Sequence, residues 1–86
     1  MRDVVICEPL RTAVGAFGGS LRTVTAHSLG ATVVRAILER TGLPGDAGDD
    51  LVLGQSYPTM DAPASGRVVA LDAGLPVTVP GQQVDR

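Results

Sequence analysis

Few side chains in this sequence could do chemistry. Cys7 is the only thiol and His27 the only imidazole, and a loop that carries Arg11 and three glycines lies between them. A cysteine can act as a nucleophile and a histidine can carry a proton. What each can do depends on the element that holds it.

Cys7 closes a short apolar run. Residues 3–7 read DVVIC and are followed by Glu8 and Pro9. A continuous β-branched run of this length predicts a strand buried on both faces, and therefore central in a sheet. A thiol buried in such a strand stays protonated and is a poor nucleophile. We therefore interpret Cys7 as part of the core.

The glycines invite a test for phosphate binding. Residues 10–24 show neither helical nor strand periodicity and predict a long connection. The spacing of Gly15, Gly18 and Gly19 fits neither G-x-G-x-x-G nor G-x-x-x-x-G-K-[ST], and no helix follows directly. Arg11 is interpreted as fixing the loop through nearby carbonyls and carboxylates.

His27 falls in the first turn of a predicted helix. The helix dipole disfavours its charged form there, and no second catalytic group is near in sequence, so a surface or subunit-contact role is favoured. Asp46, Asp49 and Asp50 are the nearest approach to a metal cluster, but they lie in a polar turn that they cap or solubilise.

Arg67 follows Asp61 by six positions. It could pair with that acid or with a partner chain, and neither arrangement is catalytic. Taken together, the residues predict no catalytic, no cofactor-binding and no metal-binding group in this chain.

Composition limits the class of protein. The 86 residues suffice for one small domain or part of one, and the hydrophobic fraction of 44% includes only two aromatics, Phe17 and Tyr57. An aliphatic core of this kind suits a buried parallel sheet. The net charge of -2, without a basic cluster, argues against nucleic acid or an anionic membrane as partner. A lone cysteine and the lack of a signal-peptide pattern predict a cytoplasmic protein.

The first helix has clear sequence signals. Thr25 can cap it by accepting from the N–H of Ser28, and an apolar stripe follows at Leu29, Val33, Ala36 and Ile37. Gly42 supplies the left-handed position after about residue 41, and a proline two residues later forbids continuation.

The remaining elements alternate. Residues 51–53 predict a strand, and a helix capped by Asp61 or Ala62 runs to about Ala73. Gly74 then repeats the earlier Gly-Leu-Pro stop, and residues 78–86 predict a further, partly polar strand. The order is β-α-β-α-β, an α/β fold with three parallel strands.

Taken in order, several short motifs resemble the N-terminal end of thiolases, the acetyl-CoA acetyltransferases and 3-ketoacyl-CoA thiolases. These motifs are residues 11–15 (RTAVG), 17–19 (FGG), 26–31 (AHSLGA) and 53–55 (LGQ), together with Arg67 and residues 73–76 (AGLP). Their order and spacing over nearly the whole chain carry the resemblance.

The resemblance implies an enzyme that transfers an acyl group between CoA thioesters through a nucleophilic cysteine. That cysteine opens the helix after the third strand, so residues 1–86 are expected to be the first part of the N-terminal thiolase domain, ending just before it. The catalytic list for the chain is then empty, no cofactor is bound by the segment, and the chain alone is expected to be inactive. Acyl-CoA would be the substrate of the whole enzyme, which is expected to be a homo-oligomer.

Two alternatives stay open from the sequence. A related condensing enzyme of the ketosynthase type shares the superfamily, although the loop at residues 11–21 favours the thiolase branch. The second alternative is a non-catalytic domain of 86 residues that binds a partner through its exposed last strand.

Overall fold

Two α-helices, a short 3-10 helix and a two-stranded parallel sheet make up the regular secondary structure of the computed structural model, which describes residues 2–85. The elements in chain order are α1 (Ala26–Thr41), a short 3-10 helix (Gly45–Ala47), β1 (Leu51–Gln55), α2 (Ser65–Asp72) and β2 (Gly81–Asp85). The chain therefore has the α/β character that the alternation of apolar patterns predicts.

Helix α1 begins and ends as its sequence predicts. The hydroxyl of Thr25 accepts from the backbone N–H of Ser28 at 3.2 Å. At the other end, Gly42 has a φ of 69° and its N–H donates to the carbonyl of Leu38 at 2.9 Å. The helix is bounded by its own residues, so its limits do not depend on distant contacts.

The two strands run parallel, with Leu51 opposite Gly81 and Gln55 opposite Asp85. The prediction of a strand at residues 51–53 is confirmed, with two more residues at its end. The last strand is shorter than the predicted residues 78–86, because the N–H of Val79 donates to the carbonyl of Pro76 and turns the chain first. Arg86, the end of that prediction, lies outside the described residues.

Helix α2 begins later than predicted. Neither Asp61 nor Ala62 caps it; the helix starts at Ser65 after a turn, and the residue before it, Ala64, has no side chain that can cap. The end agrees with the prediction within one residue, and Gly74 has a φ of 85°. The predicted start at Asp61 or Ala62 was wrong, because side chains from the two strands bond to the first turn of α2, as described below.

The predicted strand at residues 3–7 is not present. Residues 2–10 have no regular secondary structure, and Val4, Val5 and Ile6 are 95%, 76% and 98% exposed. A strand needs a neighbour to receive its backbone hydrogen bonds, and among residues 2–85 the sheet holds only β1 and β2. The third strand is therefore not confirmed. The predicted burial of Cys7 is wrong, because the thiol is exposed.

Small residues let the two helices approach closely. A Cβ on Gly30 of α1 would lie 3.0 Å from Cγ2 of Val69 in α2, and Ala31 and Val69 are each 1% exposed. The guanidinium of Arg35 adds a 2.8 Å hydrogen bond to the carbonyl of Asp72, at the end of α2. The predicted stripe on α1 is only half-buried, because the contact with α2 uses the smaller residues beside it.

We expect Gly42→Ala to lower the free energy of unfolding by about 1 kcal/mol, because a Cβ is strained at its left-handed backbone angle. Gly48→Ala is the matched control, since its φ is -84° and no heavy atom lies within 4 Å of the added carbon. Urea unfolding followed by circular dichroism compares them. Equal losses in both variants would contradict this account of the helix end.

Candidate functional site

The first turn of α2 is joined to both strands by side chains. The hydroxyl of Ser65 donates to Oε1 of Gln55 in β1 at 3.1 Å, and the N–H of Gly66 donates to Oε1 of Gln83 in β2 at 3.3 Å. We call these four residues the glutamine clamp. Within it, Gln83 supplies an acceptor for one of the free N–H groups at the start of α2, which has no local side-chain cap.

At the glutamine clamp, the backbone of α2 is in direct contact with the backbone of β2. A Cβ on Gly66 would overlap the carbonyl of Gln82, and one on Gly81 would press on the carbonyl of Gly66. Ser65 is fully buried, and Nε2 of Gln55 is buried without a hydrogen-bond partner among the described residues. The arrangement leaves no room for larger side chains at either glycine.

Sequence reasoning missed the clamp. From the sequence alone, Gly66 has no assigned role, Gln55 belongs to the 53–55 motif, and Gln83 is a polar position in the last predicted strand. One signal was available: a glycine inside an apolar helical pattern often marks a close approach of backbones. The partners themselves could not be found, since Gln83 lies far from Gly66 in sequence.

Arg67 bonds to backbone carbonyls of its own chain instead of to Asp61. Its guanidinium does not pair with Asp61; Nη1 donates to the carbonyl of Val79 at 2.8 Å and Nη2 to the carbonyl of Val77 at 3.1 Å. The planar fork of arginine suits two carbonyls at once. Arg67 therefore fixes the turn that leads into β2.

His27 lies between the two helices. Its side chain is 20% exposed, and Nε2 is 4.0 Å from a carboxylate oxygen of Asp72. This distance is too long for a hydrogen bond, and Nδ1 is buried without a partner among residues 2–85. The pair is a contact between α1 and α2 within the chain, whereas a surface or subunit-contact role was expected for His27.

The glycine loop holds its own shape. Arg11 donates to the carbonyl of Thr12 at 3.0 Å and Arg22 to the carbonyl of Gly19 at 3.2 Å, so both guanidinium groups serve the loop. A hollow of about 560 Å³ lies against this loop and the exposed ring of Phe17. Gly19, the last glycine of the loop, lies seven residues before Ala26, the first residue of α1, whereas a phosphate-binding loop leads from its glycines straight into a helix.

The acidic turn contributes a hydrogen bond and no metal cluster. Asp50 accepts from Nε2 of Gln82 at 3.0 Å, which ties the start of β1 to β2. Across residues 2–85, no group of three or more potential ligands lies close enough to hold a metal ion. In the same range, no helix is long and apolar enough to cross a membrane.

Comparison with known proteins assigns the class. Residues 4–86 match the family described as thiolase, N-terminal domain, and the chain belongs to this family. The chain is 44% identical over 86 residues to acetyl-CoA acetyltransferase of Pseudomonas aeruginosa and 41% identical over 86 residues to that of Cupriavidus necator. All of this chain is covered in both cases, but only 22% of each relative. Its relatives are thus enzymes, of which it spans the N-terminal part.

The fold agrees with the sequence match. The crystal structure of Bacillus anthracis acetyl-CoA acetyltransferase superimposes with a TM-score of 0.77 at 35% identity, covering 84% of this chain and 18% of that one. The α/β arrangement described above is therefore that of a thiolase N-terminal end.

We expect Arg67→Lys to lower the free energy of unfolding by about 1–2 kcal/mol, because an ammonium group cannot reproduce the fork that bonds two carbonyls. Arg22→Lys is the control, since Arg22 is exposed and makes one long bond within its loop. Chemical denaturation measures both. A loss in Arg22→Lys as large as that in Arg67→Lys would contradict the assigned role.

Proposed function

We propose that this chain is the N-terminal portion of an acyl-CoA C-acyltransferase of the thiolase type. The reaction is the formation of acetoacetyl-CoA from two acetyl-CoA molecules, or its reverse, thiolysis of a 3-ketoacyl-CoA. The match of residues 4–86 to the thiolase N-terminal domain is the observation that carries this proposal. The names of the relatives favour the thiolase branch over a ketosynthase.

The chemistry is assigned to groups outside this segment. Cys7 is exposed on an irregular stretch, and its neighbour Glu8 pairs with Arg40 at 3.0 Å rather than with the thiol. His27 faces the carboxylate of Asp72 in α2. We therefore assign residues 1–86 no catalytic, cofactor-binding or metal-binding role, and infer that they form the first part of the domain, before the helix that bears the nucleophile.

In the complete domain we infer a third parallel strand formed by residues 3–7. Support comes from their β-branched sequence, which is typical of strands. It also comes from the near-complete exposure of Val4 and Ile6, because large apolar side chains of this kind are usually buried. A third strand along a free edge of the sheet would bury them and restore the β-α-β-α-β order.

CoA thioesters are the proposed substrates of the whole enzyme, with no separate cofactor bound by this segment. We infer a homo-oligomer in the cytoplasm. The exposed apolar side chains of Val14 and Phe17 support self-association, because such surfaces are costly in a monomer. The single cysteine supports a reducing compartment.

We expect the intact protein that carries this chain to cleave acetoacetyl-CoA in the presence of CoA, and residues 1–86 alone to show no turnover. The reason is that residues 2–85 hold no thiol that is hydrogen-bonded to a base. Chromatographic measurement of acetyl-CoA formation checks both. Turnover by the isolated segment would refute its scaffold role.

A chimera gives a second measurement. Residues 1–86 replace the matching N-terminal part of the Pseudomonas aeruginosa acetyl-CoA acetyltransferase, to which they are 44% identical. We expect soluble protein with measurable acyl transfer. The same chimera with Gly66→Val is the control; it should lose activity, because the added side chain collides with β2. A folded chimera without acyl transfer would count against the proposed function.

A further inference from the structure

The glutamine clamp lies at the edge of the sheet where strands end. Gln55 is the last residue of β1 and pairs in register with Asp85, the last residue of β2; Gln83 lies two residues before that end. In open α/β sheets, ligands bind in the crevice outside the carboxyl ends of the strands. The clamp therefore acts where this fold class places its chemistry.

Each half of the clamp joins α2 to a different strand. Ser65 reaches Gln55 in β1 and Gly66 reaches Gln83 in β2, so a shift of one strand end against the other stretches one of the two bonds. Direct backbone contact of Gly66 with β2 removes the space in which such a shift could be absorbed. The relative position of the two strand ends is thus determined from α2.

We propose that the glutamine clamp is a positioning device for the acyl-transfer site, with Gln83 as its positioning residue. It holds the carboxyl end of β2 at a fixed place against α2. This inference rests on the proposed function. The side chain of Gln83 acts through the backbone N–H of Gly66, not on the substrate.

Variants of Gln83 in the intact protein test the proposal. Gln83→Leu keeps the side chain at a similar size but removes the oxygen that accepts from Gly66. Gln83→Asn keeps a polar amide, but the shorter side chain moves its oxygen away from the N–H of Gly66. We expect about a tenfold fall in kcat for thiolysis in both, since small displacements of reacting groups cost rate steeply, with KM for acetoacetyl-CoA little changed. Gln83→Glu should restore kcat, because a carboxylate still accepts from Gly66 and suits a helix N-terminus.

Two controls separate positioning from lost folding. Gln82→Leu removes the adjacent exposed bond to Asp50 and should leave kcat unchanged. Gly54→Ala adds a carbon where no heavy atom lies within 4 Å and should also be silent, whereas Gly66→Ala should not. Rates are expressed per folded molecule, from circular dichroism well below the melting midpoint, so that partial unfolding does not mimic a lower kcat.

The outcomes distinguish the two proposals. An active wild-type protein whose folded Gln83→Asn variant keeps the wild-type kcat overturns the clamp and leaves the function standing. Equal losses in Gln83→Glu and Gln83→Leu also overturn it, because the acceptor would then be irrelevant. A wild-type protein without acyl transfer overturns the proposed function and the clamp with it.

Discussion

Direct contact between the backbones of α2 and β2, at Gly66 and Gly81, is the constraint on which the rest of this structure depends. It brings the first turn of the helix so close to the sheet that Ser65 is fully buried. Buried N–H and hydroxyl groups are costly unless they are hydrogen-bonded. The glutamines at the strand ends meet that need, so the close contact and the polar ties require each other.

The two helices also pack closely through small residues. Gly30 and Ala31 let α1 approach Val69, but small side chains bury little apolar area, and within residues 2–85 the buried apolar residues are all alanine or valine. Hydrophobic stabilisation scales with the area buried. Side-chain ties between elements, such as Arg35 to Asp72 and Arg67 to the turn before β2, therefore carry much of the specificity of the arrangement.

Sequence reasoning succeeded where the physics is local. Thr25 begins and Gly42 ends α1 through hydrogen bonds within one helical turn, so these two residue types are enough to predict the limits of the helix. It failed where an element depends on distant partners: the start of α2 is set by Gln55 and Gln83, and residues 3–7 lack the neighbour that a strand requires. The family came from the order of several weak motifs. The glutamine clamp could not be predicted from the sequence, because no periodicity or motif spacing relates Gly66 to Gln83.

The parallel register also dictates an order of folding. Leu51 can meet Gly81 only after the intervening chain, including α2, has doubled back, and closing so long a loop costs conformational entropy before any strand bond forms. Helix α1, with its local caps, has no such delay. During synthesis β1 therefore lacks β2 as a partner until residues 81–85 have been made, an interval in which its free edge can pair with a neighbouring chain instead.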